Sequence, residues 1–232
     1  MHCFERRRAR GGLAAVVHRL ARIIGLPARS DETRMPYYLR VLTPSEAIVP
    51  AATLAGQVVP ARLSVTVGSD EAWDELMIAH ADGREIALVE RNVVAPGSVA
   101  AAELAEFVED LADARPATGA AWVREYLQRV RAVYAIQVLG GARHAGGWDA
   151  IGAVKNKLWG RLDGIIQADG EGFTNEDGYH AVWQFSDKAS GPWWMGVLED
   201  GDWRHFQMDL GDRTQREHFL RGGVPPGAPL AT

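Results

Sequence analysis

The chain contains almost no cysteine, and this absence removes several classes of site at once. Its 232 residues include one cysteine, Cys3, close to the amino terminus. The rest of the chain therefore forms no disulfide bond and no cysteine-ligated zinc or iron–sulfur centre. This cysteine usage is typical of a reducing compartment, so we expect a cytoplasmic protein. Nothing in the sequence indicates a cofactor.

Long apolar runs and catalytic motifs are also missing. Arg, His or Gly interrupts each apolar stretch well before the roughly 18 consecutive apolar residues that a membrane-spanning helix requires. The sequence has no Gly-x-Ser-x-Gly motif, no His-Glu-x-x-His motif and no Walker phosphate loop. We therefore predict no transmembrane segment, and without such motifs the sequence identifies no catalytic residue.

Positive charge is scarce outside the first 34 residues. Residues 1–34 contain eight arginines and three acidic residues, whereas the rest of the chain carries 17 basic and 27 acidic side chains, a net charge of −10. An acidic body without a concentrated basic patch repels nucleic-acid phosphates. We expect no nucleic-acid partner.

The basic segment at residues 1–34 has two interpretations. Apolar residues recur at helical spacing from Leu13 to Ile24, with arginines between them, which predicts a short amphipathic helix able to contact an anionic membrane surface. The same arginines interrupt the apolar core that an export signal requires. In the other interpretation, which we favour, translation starts at Met35 and the segment is a disordered extension.

Apolar periodicity in the remaining residues predicts an α+β protein. Strands are predicted at residues 37–42, 61–67, 75–81, 86–94, 133–139, 165–168, 179–186, 193–198 and 203–210. Helices are predicted at residues 46–56, after Ser98 and Thr118 as N-caps, at residues 151–162, and after Asp212 as N-cap. The glycine-rich residues 140–147 are predicted to form an irregular loop.

The order of elements occurs twice along the chain. The strand motif Tyr-x-Leu-x-Val-Leu at residues 37–42 matches Tyr-x-Ile-x-Val-Leu at residues 134–139, and each strand precedes a helix, further strands with an Asp-Gly hairpin, and a capped helix. We interpret residues 35–132 and 133–222 as two related units, each an antiparallel sheet with helices packed on one face, followed by a flexible tail at 223–232. The alternative is coincidence, because these strand and turn compositions are common.

Polar residues of the second unit form the candidate ligand-binding site. Arg143 and His144 lie in the glycine-rich loop before a helix N-terminus, where backbone N–H groups can hold an anion. His180, His205 and Asp209 alternate onto the polar side of their strands. Two histidines and a carboxylate can bind a divalent metal, but an intervening strand separates them, so we predict no metal site. A functionless loop and solvated strand residues are the simpler interpretation.

Tryptophan is concentrated in the second unit. Six of the eight tryptophans occur there, at positions 148, 159, 183, 193, 194 and 203. Strand and helix periodicity assigns Trp159 and Trp183 to the core. Trp193, Trp194 and Trp203 are the candidate partner-binding residues, because exposed tryptophans are enriched at binding surfaces.

Four acidic residues crowd a glycine-rich segment at residues 169–177. Calcium favours such oxygen ligands, but the spacing departs from the EF-hand pattern and Phe173 stands where a ligand is needed. We interpret the segment as a solvated acidic loop.

Two functional hypotheses follow. The acidic body, the missing catalytic motifs and the tryptophan excess favour a non-enzymatic adaptor, immunity or antitoxin-like module that binds another protein. The alternative is a small-molecule-binding protein or hydrolase with its site on the polar sheet face of the second unit. The alternative requires the candidate ligand-binding residues to converge in one cleft.

Overall fold

The computed structural model describes residues 36–231, so the predictions for residues 1–34 lie outside the described residues. Within the described range the protein is a mixed α+β structure with ten strands, five α-helices and one 3₁₀ helix. In chain order the elements are β1 (Tyr37–Thr43), α1 (Ala51–Ala55), β2 (Arg62–Gly68), β3 (Trp73–Ala79), β4 (Glu85–Val93), α2 (Val99–Asp110), α3 (Ala117–Leu127), β5 (Ala132–Val138), the 3₁₀ helix (Gly140–Arg143), α4 (Gly147–Leu162), β6 (Ile165–Ala168), β7 (Gly172–Thr174), β8 (His180–Trp183), β9 (Pro192–Glu199), β10 (Asp202–Asp209) and α5 (Arg213–Leu220).

All ten strands belong to one sheet, with β1 near its centre. The strand order is β10-β9-β8-β7-β6-β1-β5-β4-β3-β2, and neighbours are antiparallel except β8 and β9. Leu39 of β1 pairs with Ile136 of β5 on one side and with Ala168 of β6 on the other. The first strand of the predicted first unit therefore lies between two strands of the predicted second unit.

The structure does not confirm an internal duplication. Strands β2–β4 follow β1, and the last of them, β4, pairs with β5. Strands β6–β10 follow β5, and the first of them, β6, pairs with β1. An exact repeat would attach both groups through the same strand.

Helices cover both faces of the sheet, and the prediction of helices on one face is wrong. On one side α1 and α4 pack with Val41 and Ile136, and on the other α2 and α3 pack with Leu42 and Val133. Successive strand residues point to opposite faces, so Val41 packs in the core on one face and Leu42 in the core on the other. Strands buried on both sides have nearly continuous apolar sequences, as β5 does.

Several local predictions are confirmed and others are corrected. Ser98 and Asp212 cap their helices: Ser98 accepts a hydrogen bond from the Ala101 N–H, and Asp212 accepts from the N–H groups of Thr214 and Gln215. The helix after Pro116 begins at Ala117, so Thr118 is not its N-cap. The predicted irregular loop contains the 3₁₀ helix, in which Gly141 lies so close to the Glu85 carbonyl that no Cβ would fit.

The carboxyl-terminal residues lie along the outer edge of β10. The Gln207 N–H donates to the Pro229 carbonyl, and the Ala231 N–H donates to the His205 carbonyl. Beneath them, Phe219 of α5 packs in a third core with Met195 and Phe206. The Gln207 N–H and the His205 carbonyl on this edge of the sheet are therefore paired within the chain.

Within residues 36–231, none of the helices is both long enough and apolar enough to cross a membrane.

Candidate functional site

A cleft of about 560 Å³ opens between helix α4 and the sheet face formed by β1 and β6–β8. We call it the α4 cleft. Trp148, Ile151, Gly152 and Lys155 line its helical wall, because positions three and four apart share one side of a helix. A Cβ placed on Gly152 would meet no atom within 4 Å, so the missing side chain at this position leaves the cleft open.

The floor of the α4 cleft is apolar and its rim is aromatic. Leu39, Ile166 and Ala168 form the floor, since they lie on the α4 side of β1 and β6. The rim carries three tryptophans whose exposed fractions are 52% for Trp148, 36% for Trp193 and 43% for Trp194. Such a site can hold a flat apolar body between ring surfaces.

Four ionisable side chains line the α4 cleft: Tyr37, Lys155, Glu171 and His180. The Tyr37 hydroxyl donates to Glu171 Oε1 over 2.8 Å. Glu171 Oε2 lies 3.9 Å from His180 Nε2, which is too far for a hydrogen bond. The acidic segment at 169–177 is thus more than a solvated loop, because Glu171 turns into the cleft.

The tautomer of His180 follows from its neighbours. The Trp193 indole N–H donates to His180 Nδ1 over 2.9 Å, so the proton of the neutral ring is on Nε2. His180 is 8% exposed, and its Nε2 atom is buried without a hydrogen-bond partner among the described residues. The ring therefore presents a buried N–H donor that lacks an acceptor.

Burial sets the charge states in the α4 cleft. Burial, and secondarily the charge of Lys155, lower the pKa of His180 to about 4, so the ring is neutral at neutral pH. Burial also lowers the pKa of Lys155, while the Glu171 carboxylate acts in the opposite direction. Burial and then Glu171 raise the pKa of Tyr37, which keeps its hydroxyl protonated and able to donate.

A buried ion network on the opposite face holds the Glu171 turn in place. Asp169 accepts from the Tyr38 N–H at 3.0 Å and from Arg40 Nη1 at 2.7 Å. Arg40 also donates to Glu103 of α2 at 2.6 Å and to Gln167 of β6 at 2.7 Å. Tyr38 and Arg40 both belong to β1, so Asp169 anchors the start of the turn that carries Glu171 to this strand.

The predicted ligand-binding residues do not converge. Of Arg143, His144, His180, His205 and Asp209, only His180 lines the α4 cleft. Arg143 is the last residue of the 3₁₀ helix and His144 follows it; both are exposed, and the His144 ring packs edge-on against His80.

The other two predicted residues have local partners. His205 stacks on Tyr179 at a ring distance of 3.8 Å, and its Nε2 lies 2.9 Å from the Asn175 amide nitrogen. Asp209 accepts from the backbone N–H groups of Gly191 and Gly211 and so closes a turn.

The predicted partner-binding tryptophans also separate. Trp193 and Trp194 stand on the rim of the α4 cleft, whereas Trp203 packs edge-on against Trp122 of α3 at 5.2 Å. Sequence reasoning missed Tyr37, Lys155, Glu171 and Trp148 as cleft residues. Only the helical spacing of Trp148 and Lys155 was visible in the sequence.

No group of three or more His, Cys, Asp or Glu side chains in residues 36–231 is arranged to hold a metal ion.

In comparisons with known proteins, no family model, curated protein or solved structure matches this chain. The geometry of the α4 cleft is therefore the basis for assigning a function.

Proposed function

We propose that the protein binds a small organic molecule in the α4 cleft. The observation that carries this proposal is the buried Nε2–H of His180, which has no acceptor. Leaving a buried donor unsatisfied costs about 1–3 kcal/mol, so such groups are retained where a ligand or water supplies the acceptor. A ligand oxygen between His180 and Lys155 meets this requirement.

The lining of the α4 cleft specifies the chemistry of the ligand. Its volume of about 560 Å³ lies within the range of roughly 300–1,000 Å³ that is usual for small-molecule sites. The His180 N–H and the Lys155 ammonium can donate to a carbonyl or carboxylate oxygen, and the Glu171 carboxylate can accept from a hydroxyl or N–H group. The apolar floor and the tryptophan rim take a flat ring. The expected ligand is therefore a ring compound with an attached carbonyl or carboxylate.

A matched pair of glycine substitutions in α4 tests the proposal. Gly152→Leu places a side chain in the α4 cleft, whereas Gly160→Leu adds the same side chain to an exposed position of the same helix. Neither added Cβ meets an atom within 4 Å. Both variants are therefore expected to fold.

The assay is ligand-observed NMR with a library of ring compounds that carry a carbonyl or carboxylate. We expect compounds that bind the natural sequence and Gly160→Leu but not Gly152→Leu. An absence of binding compounds, or binding that survives equally in Gly152→Leu, would refute a ligand site in the α4 cleft.

Binding of a partner protein is the second candidate function, favoured by the exposed rings of Trp193 and Trp194 on the rim of the α4 cleft. Binding of a protein that docks on the rim should be lost with Trp194→Ala and retained with Trp203→Ala. It should also be retained with Gly152→Leu, because such a partner does not enter the α4 cleft. Affinity purification with these three variants separates the two functions. Loss of the partner with Trp203→Ala alone would count against docking on the rim.

A further inference from the structure

Lysine is rare in this chain, although basic residues are not. The sequence contains 22 arginines and three lysines, which are Lys155, Lys157 and Lys188. Arginine remains protonated in proteins, whereas a lysine can lose its proton and act as a nucleophile. One of the three lysines, Lys155, lines the α4 cleft. An arginine at this position would supply charge but no reactive amine.

The surroundings of Lys155 make its charged form less favourable than that of a fully solvated lysine. The side chain is half-buried beside Ile151 in the wall of the α4 cleft, and its ammonium has no hydrogen bond or ion pair with any described residue. Burial lowers the pKa of this ammonium. Lys188, in contrast, is exposed. Reactive lysines are usually activated by such desolvation in an apolar pocket.

Lys155 also has a proton acceptor and a carbonyl-binding donor in the same cleft. Glu171 can accept the proton that the ammonium releases, and the Tyr37 hydroxyl holds this carboxylate in place. The Nε2–H of His180 can donate to a carbonyl oxygen, and Trp193 fixes the tautomer that provides this donor. Nucleophile, base and carbonyl-binding donor are thus all supplied by side chains that line the α4 cleft.

We propose that Lys155 forms an imine with a small aldehyde or ketone bound in the α4 cleft. The Lys155 ammonium gives one proton to Glu171, and the free electron pair of Nζ then forms a bond to the carbonyl carbon. The carbonyl oxygen takes the proton from Glu171 and leaves as water together with one further proton from the nitrogen. The C–O bond breaks as the C=N bond forms. The products are a protonated imine, whose nitrogen keeps the third proton of the ammonium, and one water molecule, so the step needs no oxidant or reductant. This inference rests on the proposed function, because the ligand must first enter the α4 cleft.

The scarcity of lysine makes the test direct. The full chain is incubated at neutral pH with benzaldehyde and sodium cyanoborohydride, which reduces an imine to a stable benzyl amine. Peptide mass spectrometry then gives the labelling rate of each lysine and of the amino terminus. We expect Lys155 to be labelled ahead of Lys157 and Lys188. Lys155→Arg should abolish the fast label, and Lys157→Arg should leave it unchanged.

The Gly152→Leu variant connects the label to the α4 cleft. If Lys155 reacts because of its site, this variant slows its labelling to the rate of Lys157, and Gly160→Leu does not. Equal labelling of all three lysines in the natural sequence would overturn the imine proposal. That result leaves the binding proposal standing if ring compounds still bind in a Gly152-dependent manner, so failure of one proposal is distinguishable from failure of the other.

Discussion

Acidification should destabilise the folded protein through His180 in particular. The Nε2 atom already carries the proton of the neutral ring, so a second proton must bind Nδ1. Nδ1 accepts the Trp193 indole N–H, and protonation would replace that hydrogen bond with two donors facing each other. Burial and the nearby Lys155 also oppose the charge, which accounts for a pKa of about 4 in the folded state.

The size of the effect follows from proton linkage. An unfolded histidine has a pKa of about 6.5, so between about pH 6.5 and pH 4 the unfolded state binds more protons than the folded state. The contribution of His180 to stability is therefore complete above pH 6.5 and is lost as the pH falls through this window. From pH 7.5 to pH 5, a single group of this kind lowers the free energy of unfolding by about 2 kcal/mol.

Urea denaturation at pH 7.5 and pH 5 measures this loss. His180→Asn is the reference, because its side-chain oxygen can accept from Trp193 but it does not titrate. Other groups contribute equally to both proteins, so the difference between their pH dependences isolates His180. The natural sequence should lose about 2 kcal/mol more than the variant. If both proteins lose the same free energy of unfolding, His180 is not held neutral as described.

Two further predictions concern the framework of the site. Gly152→Leu and Gly160→Leu should each raise the free energy of unfolding by about 0.5–1 kcal/mol, because both replace a glycine in a helix interior without a collision. If urea denaturation shows a large loss of unfolding free energy for Gly152→Leu alone, the α4 cleft is not open at this position. Arg40→Met should lower the free energy of unfolding by about 3–5 kcal/mol, because it leaves the buried Glu103 carboxylate unpaired. The surface variant Arg84→Met should change it little, and similar losses for the two variants would contradict a buried network at Arg40.

Much of the fold was predictable because local chemistry determines it. Aromatic and β-branched residues marked β1, and the Asp82-Gly83 dipeptide marked the turn before β4, where Gly83 has a φ of 89°. Ser98 and Asp212 marked helix starts. β7 was missed because three residues give too little periodicity. The two-sided helix packing was missed because the position of β1 in the sheet depends on long-range pairing.

The α4 cleft was largely invisible in the sequence for the same reason. Tyr37 and Glu171 are 134 positions apart, and they meet only because β1 lies beside β6. His180 was identified by strand alternation, but so were His205 and Asp209, which have other partners. Alternation selects a face of a sheet and cannot say which residues of that face a helix will enclose.

The most direct test of the α4 cleft as a binding site is a crystal structure of the protein soaked with a binding ring compound. We predict density for the compound between α4 and the sheet, with an oxygen within hydrogen-bonding distance of His180 Nε2 and the ring against Trp194. Binding compounds found at His205 and Asp209, or scattered over the surface with none in the α4 cleft, would contradict the account.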